Sequence, residues 1–163
     1  MQYLLLLNKF KIDSQKLKTK ILNLDSSAIF TYEDSNILLN SKLKPENLIK
    51  FQEITRLVII FEEWKKFSFI TIKKDCLNLV NTNKIKSYII ETKFYDKVPI
   101  SAKSLYKHIN PYLKYEGITF NEEGEIIYLE FKKFNGILNY RLSYSKQNLF
   151  NKDNSLKIDM TNF

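Results

Sequence analysis

An α+β fold in two successive units is what this sequence predicts, and three observations carry the prediction. Short apolar runs of strand length alternate with amphipathic helical stretches over the first 61 residues. A further strand, a basic amphipathic helix and two strands follow between residues 84 and 145. Those last two strands meet at Asn135-Gly136, the strongest short-range hairpin signal, because a type I′ turn needs positive φ at both central residues. Of 163 residues, 44% are hydrophobic and 14% aromatic, and 12 Phe with 10 Tyr bury enough apolar surface to offset the entropy of ordering, which excludes a disordered chain.

In the first unit, residues 3–10 form a nearly continuous apolar run suited to a strand buried on both faces. Asp13 and Ser14 offer a helix N-cap, and Leu17, Ile21 and Leu24 mark the apolar face of the helix they begin. Residues 28–33 and 37–39 read as strands about the polar turn Asp34-Ser35-Asn36. Pro45 suits a first helical position and Glu46 a first turn, with Leu48, Ile49 and Gln52 continuing the helix. The β-branched run RLVIIF at residues 56–61 closes a βαββαβ order, the ferredoxin-like arrangement, in a predicted domain 1–64.

The second domain is predicted over 65–148, with EEWKK at 62–66 as the junction and residues 149–163 as a tail. Residues 67–72 alternate as a half-buried strand would, and 75–80 read as a short helix. A strand at 84–92 leads through Pro99 to a helix begun at Ser101, whose Ala102, Leu105, Tyr106, Ile109 and Leu113 form one core-facing stripe. Pro111 lacks a backbone donor and predicts a kink or an end near Asn110. On the hairpin, Ile127, Leu129 and Phe131 alternate with Tyr128, Glu130 and Lys132, and Leu138, Tyr140, Leu142 and Tyr144 with Asn139, Arg141 and Ser143. In the tail, Leu156, Ile158, Met160 and Phe163 could add a strand or dock on a partner.

Net charge is +8, which favours a polyanionic partner, since clustered lysines release counterions from phosphates. Between residues 84 and 114 seven lysines face only Glu91 and Asp96, whereas Glu116, Glu122, Glu123, Glu125 and Glu130 form an acidic counterpart. Lys9, Lys11, Lys16, Lys18 and Lys20 make a second basic cluster. At ~100° per residue, Lys103, Lys107 and Lys114 fall within about 40° of one another, opposite the apolar stripe. That is a cationic ridge, although a solvated helix face would look the same. Lys84 and Lys86, with Lys93 and Lys97, lie just upstream, and Ser101 and Ser104 bring the backbone N–H groups of a helix N-terminus, which suit a phosphate. Arg141, beside Asn139 and Ser143, could contact phosphate or base, or pair with Glu130 on the neighbouring strand.

Chemistry is not encoded in any recognisable constellation. A lone His108 and a lone Cys76 cannot build a four-ligand zinc site, so no metal is expected. Adjacent carboxylates such as Glu62-Glu63 and Glu122-Glu123 point to opposite faces of a strand and read as solvated charge. With three glycines there is neither a GxGxxG nor a P-loop, hence no expected cofactor. Asn110-Pro111-Tyr112 follows a helix and carries one proline too few for the Asn-Pro-Pro-Tyr motif of amino-methyltransferases. The run LLLL at 4–7 is too short for a leader and no segment reaches the roughly 20 apolar residues of a span, so a cytoplasmic protein without a membrane partner is expected.

Taken in order, the ferredoxin-like unit, the ISAKSLYKHINPYL helix and the EIIYLEFKKF and ILNYRLSY strands resemble an N-terminal ferredoxin-like domain followed by a THUMP domain. That tandem occurs in archaeal tRNA guanosine N2-methyltransferases and 4-thiouridine synthetases. The resemblance implies an RNA surface on the helix that begins at Ser101 and holds Lys103 and Lys107, with Arg141 near it, and tRNA as the partner. No stretch resembles the Rossmann-like catalytic domain of those enzymes. The expected role is therefore a non-catalytic tRNA-binding protein, either the docking subunit of a split tRNA modification enzyme whose chemistry sits on a separate methyltransferase-like chain or a stand-alone THUMP-like protein. Two other readings stay open: a small RNA-processing enzyme using His108 as general acid or base, and an assembly protein docking through its tail.

Overall fold

A computed structural model describes residues 1–7, 14–33 and 36–145. The predicted strand end at residues 8–10, the Asp13 cap, Lys9 and Lys11, the turn residues Asp34 and Ser35, and the tail with Leu156, Ile158, Met160 and Phe163 lie outside them. Within the described residues there are two units, one of Met1–Ile60 joined by Ser145 and one of Phe61–Tyr144.

The first unit contains β1 (Gln2–Leu7), α1 (Ser14–Leu24), β2 (Ile29–Glu33), β3 (Asn36–Asn40), the short α2 (Pro45–Leu48) and the first half of β4 (Ile54–Lys66). Its strands lie in the order β2-β3-β1-β4, and each neighbouring pair is antiparallel. Tyr3, Leu4, Leu5, Leu17, Ile21, Ile37 and Leu39 are buried in this unit. Leu24, predicted on the apolar face, is instead 57% exposed at the last position of α1. Immediately after it, Asp25 turns the chain: its carboxylate accepts from Ser27 Oγ at 2.6 Å, Ser41 Oγ at 2.7 Å and the Lys42 N–H at 2.9 Å. Those bonds hold the carboxyl far below the usual carboxylate range, the Ser27 hydroxyl contributing most.

The second unit runs from the second half of β4 through α3 (Phe69–Thr82), β5 (Ser87–Phe94), α4 (Ala102–Tyr115), β6 (Thr119–Phe120), β7 (Glu125–Phe134) and β8 (Ile137–Ser145). Its strand order is β4-β8-β7-β5-β6, with β5 parallel to both β6 and β7 across the α4 crossover. Asn135 at φ 52° and Gly136 at φ 78° close the β7–β8 hairpin as the sequence requires.

Four elements differ from expectation. Residues 62–66 are strand, the continuation of β4 just past the division between the units at Ile60: Trp64 packs edge-on against Phe134 at 5.4 Å, and Lys65 Nζ bonds Asp75 at 2.8 Å, which raises the lysine pKa. Residues 69–72 are helical, because Ser68 caps α3 by accepting from the Thr71 N–H, and Ile72, Cys76, Leu79 and Val80 then share its buried face. Helix α4 passes through Pro111; the ring lies on the exposed side, where solvent can serve the unbonded Lys107 carbonyl. Helix α2 stops at Leu48, with Ile49 as its C-cap.

Candidate nucleic-acid interface

Helix α4 is the element on which the candidate residues gather. Leu105, Ile109 and Leu113 are fully buried beneath it, while Lys103, Lys107 and Lys114 are exposed. Its direction is set by two hydrogen bonds: Tyr106 Oη donates to the Ile90 carbonyl at 2.5 Å and Tyr88 Oη to Asn110 Oδ1 at 2.5 Å, so α4 runs antiparallel to β5. Burial pushes the Tyr88 hydroxyl up to about 12, which keeps its proton on the oxygen and its bond to Asn110 in place. The helix therefore carries Lys114 toward the beginning of β5, where Lys84 and Lys86 are exposed, and Lys103 toward its end, where Lys93 is exposed.

At the N-terminus, Ser101 and Ser104 form a reciprocal capping box, the Ser104 N–H donating to Ser101 Oγ at 3.2 Å and the Ser101 N–H to Ser104 Oγ at 3.1 Å. These two N–H groups, expected to be open to a phosphate, are already bonded by hydroxyls. At the C-terminus, the Ile118 N–H reaches the Leu113 carbonyl at 3.0 Å and the Gly117 N–H the Lys114 carbonyl at 2.9 Å, with Gly117 at φ 83°. This Schellman closure turns the chain sharply into β6, where the Thr119 N–H bonds the Lys86 carbonyl at 3.1 Å.

Arg141 must be removed from the candidate surface. Its side chain is 1% exposed, and Nε and Nη2 donate to Glu130 Oε1 and Oε2 at 2.8 and 2.9 Å. Trp64 covers the guanidinium at 4.8 Å, and Tyr95 Oη donates to Glu130 Oε2 at 2.6 Å. The hairpin face carrying Glu130, Arg141 and Ser143, expected to be polar surface, is buried, as is the opposite face with Ile127, Leu129 and Phe131.

His108 stacks on Phe69 of α3, ring centroids 3.9 Å apart at 23°, and Lys73 Nζ lies 5.7 Å over Tyr112, so α3 and α4 pack side by side. No group of three His, Cys, Asp or Glu able to hold a metal occurs among the described residues. Nor, among them, is any helix long and apolar enough to cross a membrane.

Sequence reasoning missed one feature. A pocket of about 530 Å³ opens at the C-terminal end of α4, lined by Tyr88, Asn110, Pro111, Lys114, Thr119 and Phe120. Phe120 is 46% exposed and meets Tyr88 and Tyr106 edge-on at 6.0 and 5.7 Å. A lone aromatic in the polar stretch ITFNEEGE was the available signal.

No protein-family model matches the sequence, and no curated protein matches it. Solved structures do. TrmN from Thermus thermophilus superposes with a TM-score of 0.60 at 10% identity, over 88% of this chain and 45% of that one. A 4-thiouridine synthetase in complex with RNA and ATP gives 0.56 at 8% identity, over 89% of this chain and 41% of that one. The fold is THUMP-like. PH1313 from Pyrococcus horikoshii Ot3 also matches, at 0.56 and 9% identity, over 90% of this chain and 55% of that one. The chain spans about half the length of these similar proteins, and at such identities the likeness is one of fold.

Proposed function

We propose that this protein is the tRNA-docking subunit of a split tRNA modification enzyme, a non-catalytic chain that works in the cytoplasm beside a separate methyltransferase-like partner. The observation that carries the reading is the row of exposed Lys103, Lys107 and Lys114 on the side of α4 away from its buried stripe, with exposed Lys84 and Lys86 at the end where Lys114 sits. The RNA surface in this reading comprises Lys84, Lys86, Ser101, Lys103, Ser104, Lys107 and Lys114, the serines acting through the helix start they cap. Two further observations support it. The β2-β3-β1-β4 antiparallel order of the first unit is the one a ferredoxin-like domain would have, and one of the similar structures is an RNA complex.

Electrostatics supplies most of the affinity in such an interface, and log K falls with log salt by about 0.7 to 0.9 per neutralised phosphate. Binding of bulk tRNA measured across a salt series tests the reading. The double variant Lys103→Glu/Lys107→Glu is expected to weaken binding and flatten the slope; unchanged affinity in a folded double variant would sink the assignment of this face.

A further inference from the structure

We infer that the pocket at the end of α4 holds one unstacked nucleobase of the bound RNA strand. The inference rests on the RNA-docking reading and extends it from charge to base recognition.

Three features of the pocket fit a planar heterocycle on a phosphate chain. First, Phe120 offers a half-exposed ring whose position is held by edge contacts with Tyr88 and Tyr106. Every base has a π-face, so an aromatic surface at the mouth of a pocket favours stacking. Second, Lys114 belongs at once to the pocket lining and to the lysine row, so a backbone lying along the row reaches the pocket with a phosphate beside an ammonium group. An apolar guest from a protein or a lipid would gain nothing from that cation. Third, the lining carries hydrogen-bonding side chains in Asn110 and Thr119. Asn110 Oδ1 is taken up by the Tyr88 hydroxyl, and among the described residues its Nδ2 donates to no protein group. The carboxamide therefore keeps donor capacity for an acceptor on a base. Every base offers an acceptor that complements it, a carbonyl oxygen on uracil, cytosine and guanine and a ring nitrogen on adenine. The volume of about 530 Å³ lies in the range of small-molecule sites and accommodates a single nucleoside.

The test uses the full chain with fluorescent uridine and adenosine hexamers, unlabelled uridine monophosphate as competitor, and bulk tRNA. The wild type is expected to bind both hexamers, since an aromatic platform accepts any base. Phe120→Ala should weaken the uridine hexamer about tenfold while leaving the salt slope unchanged. Phe120→Leu keeps apolar contact with the two tyrosines and should do the same, which guards against a folding defect. Asn110→Asp keeps an acceptor for Tyr88, replaces the donor by an anion and should weaken both hexamers. The inference is overturned if both Phe120 variants bind as the wild type does, or if uridine monophosphate alone binds as tightly as the hexamer, since the site would then belong to a free nucleotide. Weakening by Lys103→Glu/Lys107→Glu with no effect of the pocket variants overturns this inference alone. Absence of any RNA binding overturns the docking reading with it.

Discussion

Arg141 and Glu130 face each other across the β7–β8 hairpin in a two-pronged pair, 2.8 and 2.9 Å, with both side chains almost wholly withdrawn from water. Taking two charges out of water is costly, and their mutual bonds, the Tyr95 hydroxyl, the Trp64 ring and Glu63 Oε1, 3.9 Å from Arg141 Nη1, offset the loss of hydration. Glu130→Ala or Arg141→Ala, each leaving its partner charged and buried, is therefore expected to destabilise the second unit by about 3 to 5 kcal/mol. Replacing both by apolar residues, Glu130→Leu with Arg141→Met, should recover most of that. Urea denaturation of the three variants checks it. The folded fraction of Arg141→Ala should bind RNA as the wild type does.

The Asp25 carboxyl ties the end of α1 to the backbone and hydroxyl at residues 41 and 42. Because its folded pKa lies below the ordinary value near 4, its contribution is complete at neutral pH and is lost as pH falls through the folded value. Asp25→Asn cannot accept the full set of bonds. It should lower stability at neutral pH and flatten the decline in acid, as read from urea midpoints at neutral and strongly acidic pH.

The reciprocal Ser101/Ser104 cap starts the helix that carries the lysine row. Ser101→Ala is expected to cost about 1 kcal/mol and Ser101→Asp to cost little, since a carboxylate caps as well and favours the helix N-terminus. If the row binds RNA, Ser101→Asp should still weaken it by placing an anion beside Lys103. Thermal melts and the tRNA titration separate the two effects.

Gly117 sits at φ 83° in the closure that sends the chain from α4 into β6. Gly117→Ala places a Cβ in a left-handed conformation at an expected cost of about 1 kcal/mol, because sterics disfavour it there. Differential scanning calorimetry gives the figure, and a matching loss of uridine-hexamer affinity would report displacement of Thr119 and Phe120.

Local signals were legible where one short stretch decides the structure. Asn135-Gly136 announced the hairpin, and the spacing of Leu105, Ile109 and Leu113 announced the buried stripe of α4. What stayed hidden depends on layers. Period-two alternation gives the same pattern whether the polar face of a strand meets water or another layer, so the burial of Glu130 and Arg141 could not be read from it. Residues 67–72 are short enough to fit either period, and the Ser68 cap decided in favour of a helix. The pocket draws on residues 88, 110, 111, 114, 119 and 120, which only the crossover brings together.

The sequence holds two arginines, Arg56 and Arg141, and the fold withdraws both. Outward-facing positive charge is left to lysine, whose compact ammonium keeps its water and lacks the planar fork that grips a base edge or a phosphate from two directions. A surface of that kind senses how anions are spaced and says little about which letters lie between them, so any preference among transcripts has to originate in shape or in a cavity rather than along the charged row. It is also a surface that acetylation could silence one amine at a time.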